Sequence, residues 1–418
     1  MKSKALRTVL LLWMGLALAS ETDNKIFLQS SSGRLIPATL FDLNLFNLEW
    51  GVTWPIVPFA SWRSGKAVWN KLEAQPGHFD FSALDHEFAL AREHGVSLLL
   101  LLESPPTWAS ARPEEVGCCG ANAAGGTRAE PKDLERWENY VRTVATRYKG
   151  RDVAYELWNE PDVPRFYSGT PQDLVQMCRT AYKVIKKIDS STIVVSPSMS
   201  GGSKTAIPFL EAFLAAGGGE CVDVIGFHFY VAPQPPEAML PKINAVKSVM
   251  ARYGVHKPIW NTEIGWNIIN HDRNEAGQEV WAGKPLSDEQ SEAYLARTYL
   301  LSWAAGVERV YWYAWAHPSM GMTEFDRKTP KPIATSFMTL QRWLIGKRMQ
   351  GCSAIQGAWT CTLQNAGEAE SIVWSESGEP AALTKGAAFR RALQLSGAVT
   401  TVNSSHPQHL SDMPVLLN

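Results

Sequence analysis

From about residue 40 the chain alternates short apolar runs with amphipathic stretches. The apolar runs are Leu40 to Phe46, Ile56 to Trp62, Val96 to Leu102, Val153 to Trp158, Thr192 to Ser196, Val222 to Phe229, Pro258 to Asn261 and Val307 to Trp315. Each has the length of a buried strand. Between them, Ser82 to His94, Lys132 to Tyr148, Pro171 to Ile188, Pro236 to Tyr253 and Ser287 to Ala305 carry apolar residues at helical spacing. Gly95 and Gly150 stand just past two of these stretches, and Pro171 and Pro236 open two others, as helix ends and starts require. No clear helix fills the link between the first and second runs. Alternation of this kind predicts an α/β chain whose eight parallel strands close into a (β/α)8 TIM barrel. An open doubly wound sheet would carry a Gly-rich fingerprint after its first strand, and none is present. Beyond about Lys347 the pattern becomes short strands with turns: Thr360 to Leu363, Ser371 to Trp374, Arg391 to Leu395 and Pro414 to Leu417. These predict a small C-terminal β-sandwich domain, to which residues 21 to 39 could add a strand. The expected division is a signal peptide over 1–19, a barrel over 20–346 and a β-sandwich over 347–418.

The signal peptide rests on Lys2, Lys4 and Arg7, the apolar run from Val9 to Leu18, and the cleavage pattern Ala17-Leu18-Ala19. That run is shorter than the ~20 residues of a membrane span. Cleaved export is therefore expected, to a secreted or periplasmic location, with no membrane span left; an uncleaved anchor is the second reading. Export makes the six cysteines candidates for disulfides. Cys352 and Cys361 could close a hairpin, Cys118 and Cys119 are adjacent, and Cys178 and Cys221 are either bridged or buried thiols. Sequence leaves the pairing open.

At 418 residues the chain suits one barrel with a small companion. A net charge of −1 excludes the basic surface of a nucleic-acid or anionic-membrane binder. No metal-ligand spacing is present, and neither metal nor cofactor is expected. The seventeen tryptophans either fill cores or stack on sugar faces, since an aromatic ring offers an apolar platform with a polar edge.

Chemistry in a parallel barrel sits where strands end. Two strand ends carry unusual polar residues: Tyr155-Glu156-Leu157-Trp158-Asn159-Glu160-Pro161-Asp162 and Pro258-Ile259-Trp260-Asn261-Thr262-Glu263-Ile264-Gly265-Trp266. Cleaving an acetal needs a proton for the leaving oxygen and a partner for the oxocarbenium-like carbon. Two carboxyls meet both needs. The acid must hold its proton near neutral pH, and burial and a neighbouring carboxylate would raise its pKa. Glu160 and Glu263 are the candidates.

WNEPD at the fourth strand and NTEIGW at the seventh resemble the clan A glycoside hydrolases. The likeness is closer to glycoside hydrolase family 39 and its bacterial exopolysaccharide-hydrolase relatives. It runs through FASWRSGKAVWNKLEAQPGHFDFSALD, ESPPTWAS, RWENYVRTVATRYKGRDVAYELWNEPD, VDVIGFHFY and WNTEIGW. The resemblance implies a retaining glycosidase that cleaves β-glycosidic bonds of an oligo- or polysaccharide by double displacement; with the export signal the enzyme is expected to be secreted, and a monomer is expected. Glu160 would be the acid/base, Glu263 the nucleophile, and Asn159 the partner of the sugar 2-hydroxyl. It implies too that the end of strand six contacts nucleophile or sugar, and that Trp315 floors the site. Relatives often read R-L-W-D after strand two, where this chain has Arg63-Ser64-Gly65-Lys66, and place histidines at the end of strand one, where Asn44 and Asn47 stand. Alternative readings are an endo-glucanase or xylosidase of the same clan, or a non-catalytic carbohydrate-binding barrel.

Other residues carry two readings each. Alternation puts His228 and Tyr230 on one face of strand six, at the site or packed in the core. Arg63 could keep Glu263 ionised or pair with the deeper Glu156. Trp266 and Trp108, after strands seven and three, either line outer sugar subsites or pack internally. Glu103 reads as a pocket-rim or loop-anchoring residue.

Overall fold

The computed structural model describes residues 25–29, 33–46, 48, 51–118, 124–274, 277–278, 282–365, 368–376, 390–401 and 410–418. The expected signal peptide, Asn47 and Cys119 lie outside them. Barrel strands one to eight are Phe41–Asn44, Ser61–Ser64, Ser97–Leu102, Val153–Leu157, Ile193–Val195, Ile225–His228, Ile259–Ile264 and Val307–Trp312. Strand five breaks at Pro197 and resumes as Met199–Ser200, which pairs with Phe227 and His228. Neighbouring strands are parallel, and strand eight pairs with both strand seven and strand one. A bridge from Val195 to Val224, with Ser196 N–H donated to the Val224 carbonyl at 2.9 Å, closes the ring. The architecture is a TIM-like barrel with an appended antiparallel domain.

Local chemistry sets the helices. Pro171–Ile188 starts at a capping box in which Thr170 and Asp173 exchange hydrogen bonds. Its buried face includes Leu174, Cys178, Ala181 and Ile185, and Lys186 and Lys187 sit at its negative C-terminal end. Ser82–His94 stops where Gly95 takes φ 66°, a conformation costly for side chains with a Cβ. The loop from strand one to strand two has no α-helix among its described residues, and side chains hold it instead. Trp62 donates to the Leu45 carbonyl (3.2 Å), Trp315 to Thr53 (2.8 Å) and Gln341 to Pro58 (2.7 Å). Two longer helices were not among the stretches read from sequence. Ala206–Ala215 is apolar nearly all round, and Pro332–Leu344 follows the last barrel strand.

The C-terminal strands Arg348–Ile355, Ala358–Asn365, Glu368–Ser375, Arg391–Leu393, Val399–Thr401 and Val415–Leu417 form one seven-stranded sheet with Lys25–Gln29. Gln356 and Gly357, both at positive φ, make its first hairpin turn. One face, with Trp359, Cys361 and Trp374, is continuous with the barrel core; the other buries Val373, Ala392, Leu410 and Leu417. Disulfides join Cys178 to Cys221 and Cys352 to Cys361.

The β domain docks on the barrel through Glu237. Its carboxylate accepts from the guanidinium of Arg297 (Nε, 2.8 Å) and from the Trp374 indole (2.9 Å), all three buried. Trp374→Phe keeps the packed ring and removes one hydrogen bond to a charged acceptor. It is expected to lower unfolding free energy by roughly 2 kcal/mol, read as a lower denaturant midpoint.

Candidate active site

Strand four delivers its polar residues through unusual backbone. Trp158 has φ 73° and Glu160 φ 45°, left-handed conformations that cost a non-glycine residue about 1–3 kcal/mol. Neighbouring strands hold them there. Trp158 N–H is donated to Leu102 O (3.1 Å), and Glu160 N–H to Ser198 O (2.9 Å). Asn159 N–H is donated to Glu103 Oε2 (3.0 Å), and the buried Trp158 indole to Phe166 O (3.1 Å). The segment is thus pinned between the ends of strands three and five. Strand seven ends in Glu263-Ile264-Gly265. A Cβ on Gly265 would stand 2.4 Å from the Tyr313 carbonyl oxygen, so only glycine lets strand seven pass the end of strand eight there.

The two glutamates meet across the barrel mouth. One oxygen of each, with a ring nitrogen of His228, lies within 4.8 Å of the others. Arg63, at the end of strand two, joins them. Its Nη1 donates to Glu263 Oε1 (2.5 Å), its Nη2 to Asn159 Oδ1 (2.9 Å) and its Nε to Glu156 Oε2 (2.5 Å). The two sequence readings of Arg63 therefore hold together: it serves the site and a buried ion pair at once. Below it, the other oxygen of Glu156 accepts from Ser198 and from Thr262 (3.0 Å). Gly226 leaves space for Ser198, because a Cβ there would come within 2.3 Å of its hydroxyl. Tyr230 donates its hydroxyl to Glu263 Oε2 (3.0 Å), and His228 Nδ1 stands 2.9 Å from Glu160 Oε1 and 3.6 Å from Glu263 Oε2. Both glutamates keep an exposed edge, 13% for Glu160 and 12% for Glu263, whereas His228 lies fully buried beneath them.

Electrostatics departs from one expectation. Burial does push the Glu160 pKa up, but the hydrogen bond and charge of His228, with Ser200 and Arg63, outweigh it and hold the carboxyl below its usual range. Burial likewise opposes a charge on His228. The Glu263 carboxylate and the hydrogen bond to Glu160 prevail, and the imidazole pKa is raised. The two groups hold a proton jointly. Glu103 is pushed up to about 7, chiefly by burial. His317 is pushed down to about 4 by burial and by Arg327, so it is neutral at ordinary pH. Glu160, His228 and Glu263 also have the spacing of a cation site among the described residues. Here the guanidinium of Arg63 supplies the positive charge beside Glu263.

These groups surround a cavity of about 410 Å3. Arg63, Asn159, Glu160, Tyr230 and Glu263 line it, as do Glu103 and Asn44. Two expected site residues are elsewhere. Trp315 is fully buried with its indole N–H turned to Thr53 O, away from the cavity, because the chain bends after Tyr313. Tyr313 forms the wall expected of Trp315. Trp266 is 1% exposed, packs on Trp312 and Tyr294, and donates to Gln234 O (2.9 Å). Trp108 lies in a separate groove beside Arg136. Trp359 and Trp374 stack face to face inside the core and offer no platform. Sequence reasoning passed over Arg165, Phe166, His317 and Met320, which also line the cavity. They stand on irregular loops whose sequence has no period to read.

Residues 131–329 match the family model described as the glycosyl hydrolase catalytic core. A mannan endo-1,4-beta-mannosidase 2 from Arabidopsis thaliana is 29% identical over 167 residues, which is 35% of this chain and 38% of that protein. A family 39 glycoside hydrolase from Bacteroides cellulosilyticus WH2 superposes with TM-score 0.67 at 20% identity, over 86% of this chain and 75% of that one. A GH30 endoxylanase from Clostridium papyrosolvens C71 superposes with TM-score 0.56 at 12% identity, over 86% and 89%. A conserved exported protein from Bacteroides fragilis does so with TM-score 0.60 at 13% identity, over 92% and 94%. Residues 131–329 thus carry the likeness to a glycosyl hydrolase catalytic core, the chain spans about two fifths of the length of the curated relative it matches, and the fold is the one these solved structures share.

Proposed function

We propose that this protein is a glycosidase that hydrolyses β-linked oligo- or polysaccharides with retention of configuration, using Glu263 as nucleophile and Glu160 as acid/base. The observation that carries the reading is the short reach between the two glutamates, each with an oxygen within 4.8 Å of the other's. Retaining enzymes hold their carboxyls about 5–5.5 Å apart; inverting ones need about 6.5 Å or more to seat a water between them.

In the first step Glu263 attacks the anomeric carbon while Glu160 gives its proton to the departing oxygen. The Tyr230 hydroxyl and the Arg63 guanidinium each hold one oxygen of Glu263 and keep it aimed. In the second step Glu160, now a base, takes a proton from the water that displaces Glu263. Asn159 is oriented by chemistry alone. Arg63 can only donate, so the amide oxygen must face it, and the amide NH2 is left for the sugar 2-hydroxyl. His317 accepts at Nδ1 from the N–H groups of Ser319 and Met320, each 3.3 Å away. That fixes its remaining proton on Nε2, as a neutral donor to a sugar hydroxyl.

The mannanase likeness and the xylanase-like barrels make β-1,4-mannan and β-1,4-xylan the first substrates to try. Buried disulfides suit an oxidising compartment, which accords with export through residues 1–19. The decisive test is proton NMR of sugar released from mannan, xylan, glucan and aryl β-glycosides. Initial release of the β-anomer supports retention; initial release of the α-anomer would overturn it.

The shared proton predicts a pH profile. Because the His228 pKa is raised above its usual 6.5, the pair keeps its last proton to higher pH than a lone carboxyl would. The alkaline limb of kcat/KM is therefore expected above the ordinary imidazole range, where that proton is lost. In His228→Asn the proton rests on Glu160 alone, so the alkaline limb moves to lower pH. An unmoved limb would remove His228 from the acid's control.

A further inference from the structure

We propose that the substrate carries an anionic group, the carboxylate of a uronic acid, on its leaving-group side, and that Arg165 binds it. The inference rests on Glu160 being the proton donor to the leaving oxygen. The sugar that departs then lies against the loop that follows Glu160, and Arg165 stands on that loop.

Among the described residues, the cavity lining has two arginines and one histidine as basic side chains. Arg63 is fully engaged by Glu156, Glu263 and Asn159. His317 accepts backbone N–H groups at Nδ1 and is neutral. Arg165 is exposed at the mouth and forms no ion pair with any described carboxylate. Its contact is with Phe166, the guanidinium carbon lying 4.5 Å from the ring centroid.

The loop is held still enough to place that charge. Asp162 accepts from Ser200 N–H (2.7 Å) and the Thr205 hydroxyl (3.2 Å). Val163 O accepts from Phe166 N–H (2.8 Å), and Phe166 O accepts from the Trp158 indole (3.1 Å). Arg128 donates to Pro164 O (3.2 Å). Already stacked over the Phe166 ring, the guanidinium loses little freedom when it grips a planar carboxylate. Deeper in the cavity Glu103, Glu160 and Glu263 would repel a second anion. The mouth, at Arg165, is where an acidic sugar finds a cation without a partner.

The test is binding, which does not depend on turnover. Calorimetry with the Glu160→Gln protein compares pairs that differ at C6: β-1,4-mannotetraose against the β-1,4-mannuronate tetramer, and cellotetraose against the β-1,4-glucuronate tetramer. A 6-O-sulfated cellotetraose separates carboxylate from sulfate. At low salt an acidic member should bind about ten- to hundredfold more tightly than its neutral twin. The ratio should collapse in Arg165→Ala, invert in Arg165→Glu and largely survive in Arg165→Lys. Neutral members binding as tightly as acidic ones, or a ratio unmoved by Arg165→Ala, would overturn the proposal. Tighter binding of the sulfated oligomer than of either uronate would overturn the carboxylate. Failure of the two-glutamate reading has a separate sign, turnover that survives Glu263→Gln.

Discussion

Glu263→Gln is expected to cut turnover of an aryl β-glycoside by roughly 10⁴- to 10⁶-fold, the scale on which loss of a covalent nucleophile is felt. The amide cannot form the glycosyl ester, and it no longer matches the donors aimed at it. Tyr230 and Arg63 would then face a weaker acceptor within hydrogen-bond distance, so some loss of stability should accompany the loss of activity. Glu160→Gln should behave differently. A general acid contributes about 10²- to 10⁴-fold, and only where the leaving group needs protonation. Nitrophenyl glycosides, whose leaving groups need little help, should therefore form the covalent intermediate and stall there. Burst kinetics on such a substrate, with mass spectrometry showing sugar on Glu263, would separate the two roles. Equal losses in both variants on activated and unactivated substrates alike would mean the roles are misassigned.

Arg63→Met is expected to cost about 3–5 kcal/mol of stability as well as activity, because it strips the counter-charge from a buried carboxylate. Glu156 is fully buried, and its remaining partners, the Ser198 and Thr262 hydroxyls, are neutral donors. Glu263 has an exposed edge and can turn to water; Glu156 cannot. The double variant Arg63→Met, Glu156→Met removes both charges and should recover most of the stability while activity stays lost. Arg63→Lys should fall between, since one ammonium cannot span Glu156, Glu263 and Asn159 as the guanidinium fork does. Chemical denaturation of the three proteins, with kcat/KM beside it, tests this. A single variant as stable as the wild type would overturn the reading of Arg63 as the counter-charge of Glu156.

Much of the fold was legible because its causes are local. Ser82–His94 and Pro171–Ile188 have the limits that their caps and apolar spacing dictate, and the C-terminal strands fall close to the runs that predict them. Strand five was less legible, because Pro197 interrupts its ladder and the rest of the strand follows as Met199–Ser200. The candidate site divides in the same way. Arg63, Asn159, Glu160, His228, Tyr230 and Glu263 stand at or just past strand ends, where barrel chemistry is expected, and the structure brings them together. Trp315 was expected there on resemblance, and Trp266 was read from its place after strand seven as either a subsite or an internal residue; each lies past the point where its strand turns away, and its ring drops into the core.

What the sequence determined by itself was the order of strands and helices and the strand ends that carry carboxylates. Periodicity and capping act within a few residues and survive in a linear reading. Only the tertiary structure decided that Arg63 serves Glu156, Glu263 and Asn159 together, that His228 stands within hydrogen-bond distance of Glu160, and that Tyr313 walls the cavity. It alone brought Arg165 and His317 to the mouth. Those contacts join residues from across the ring, and they exist only once the barrel closes and positive φ at Trp158 and Glu160 turns side chains off the alternation of a regular strand.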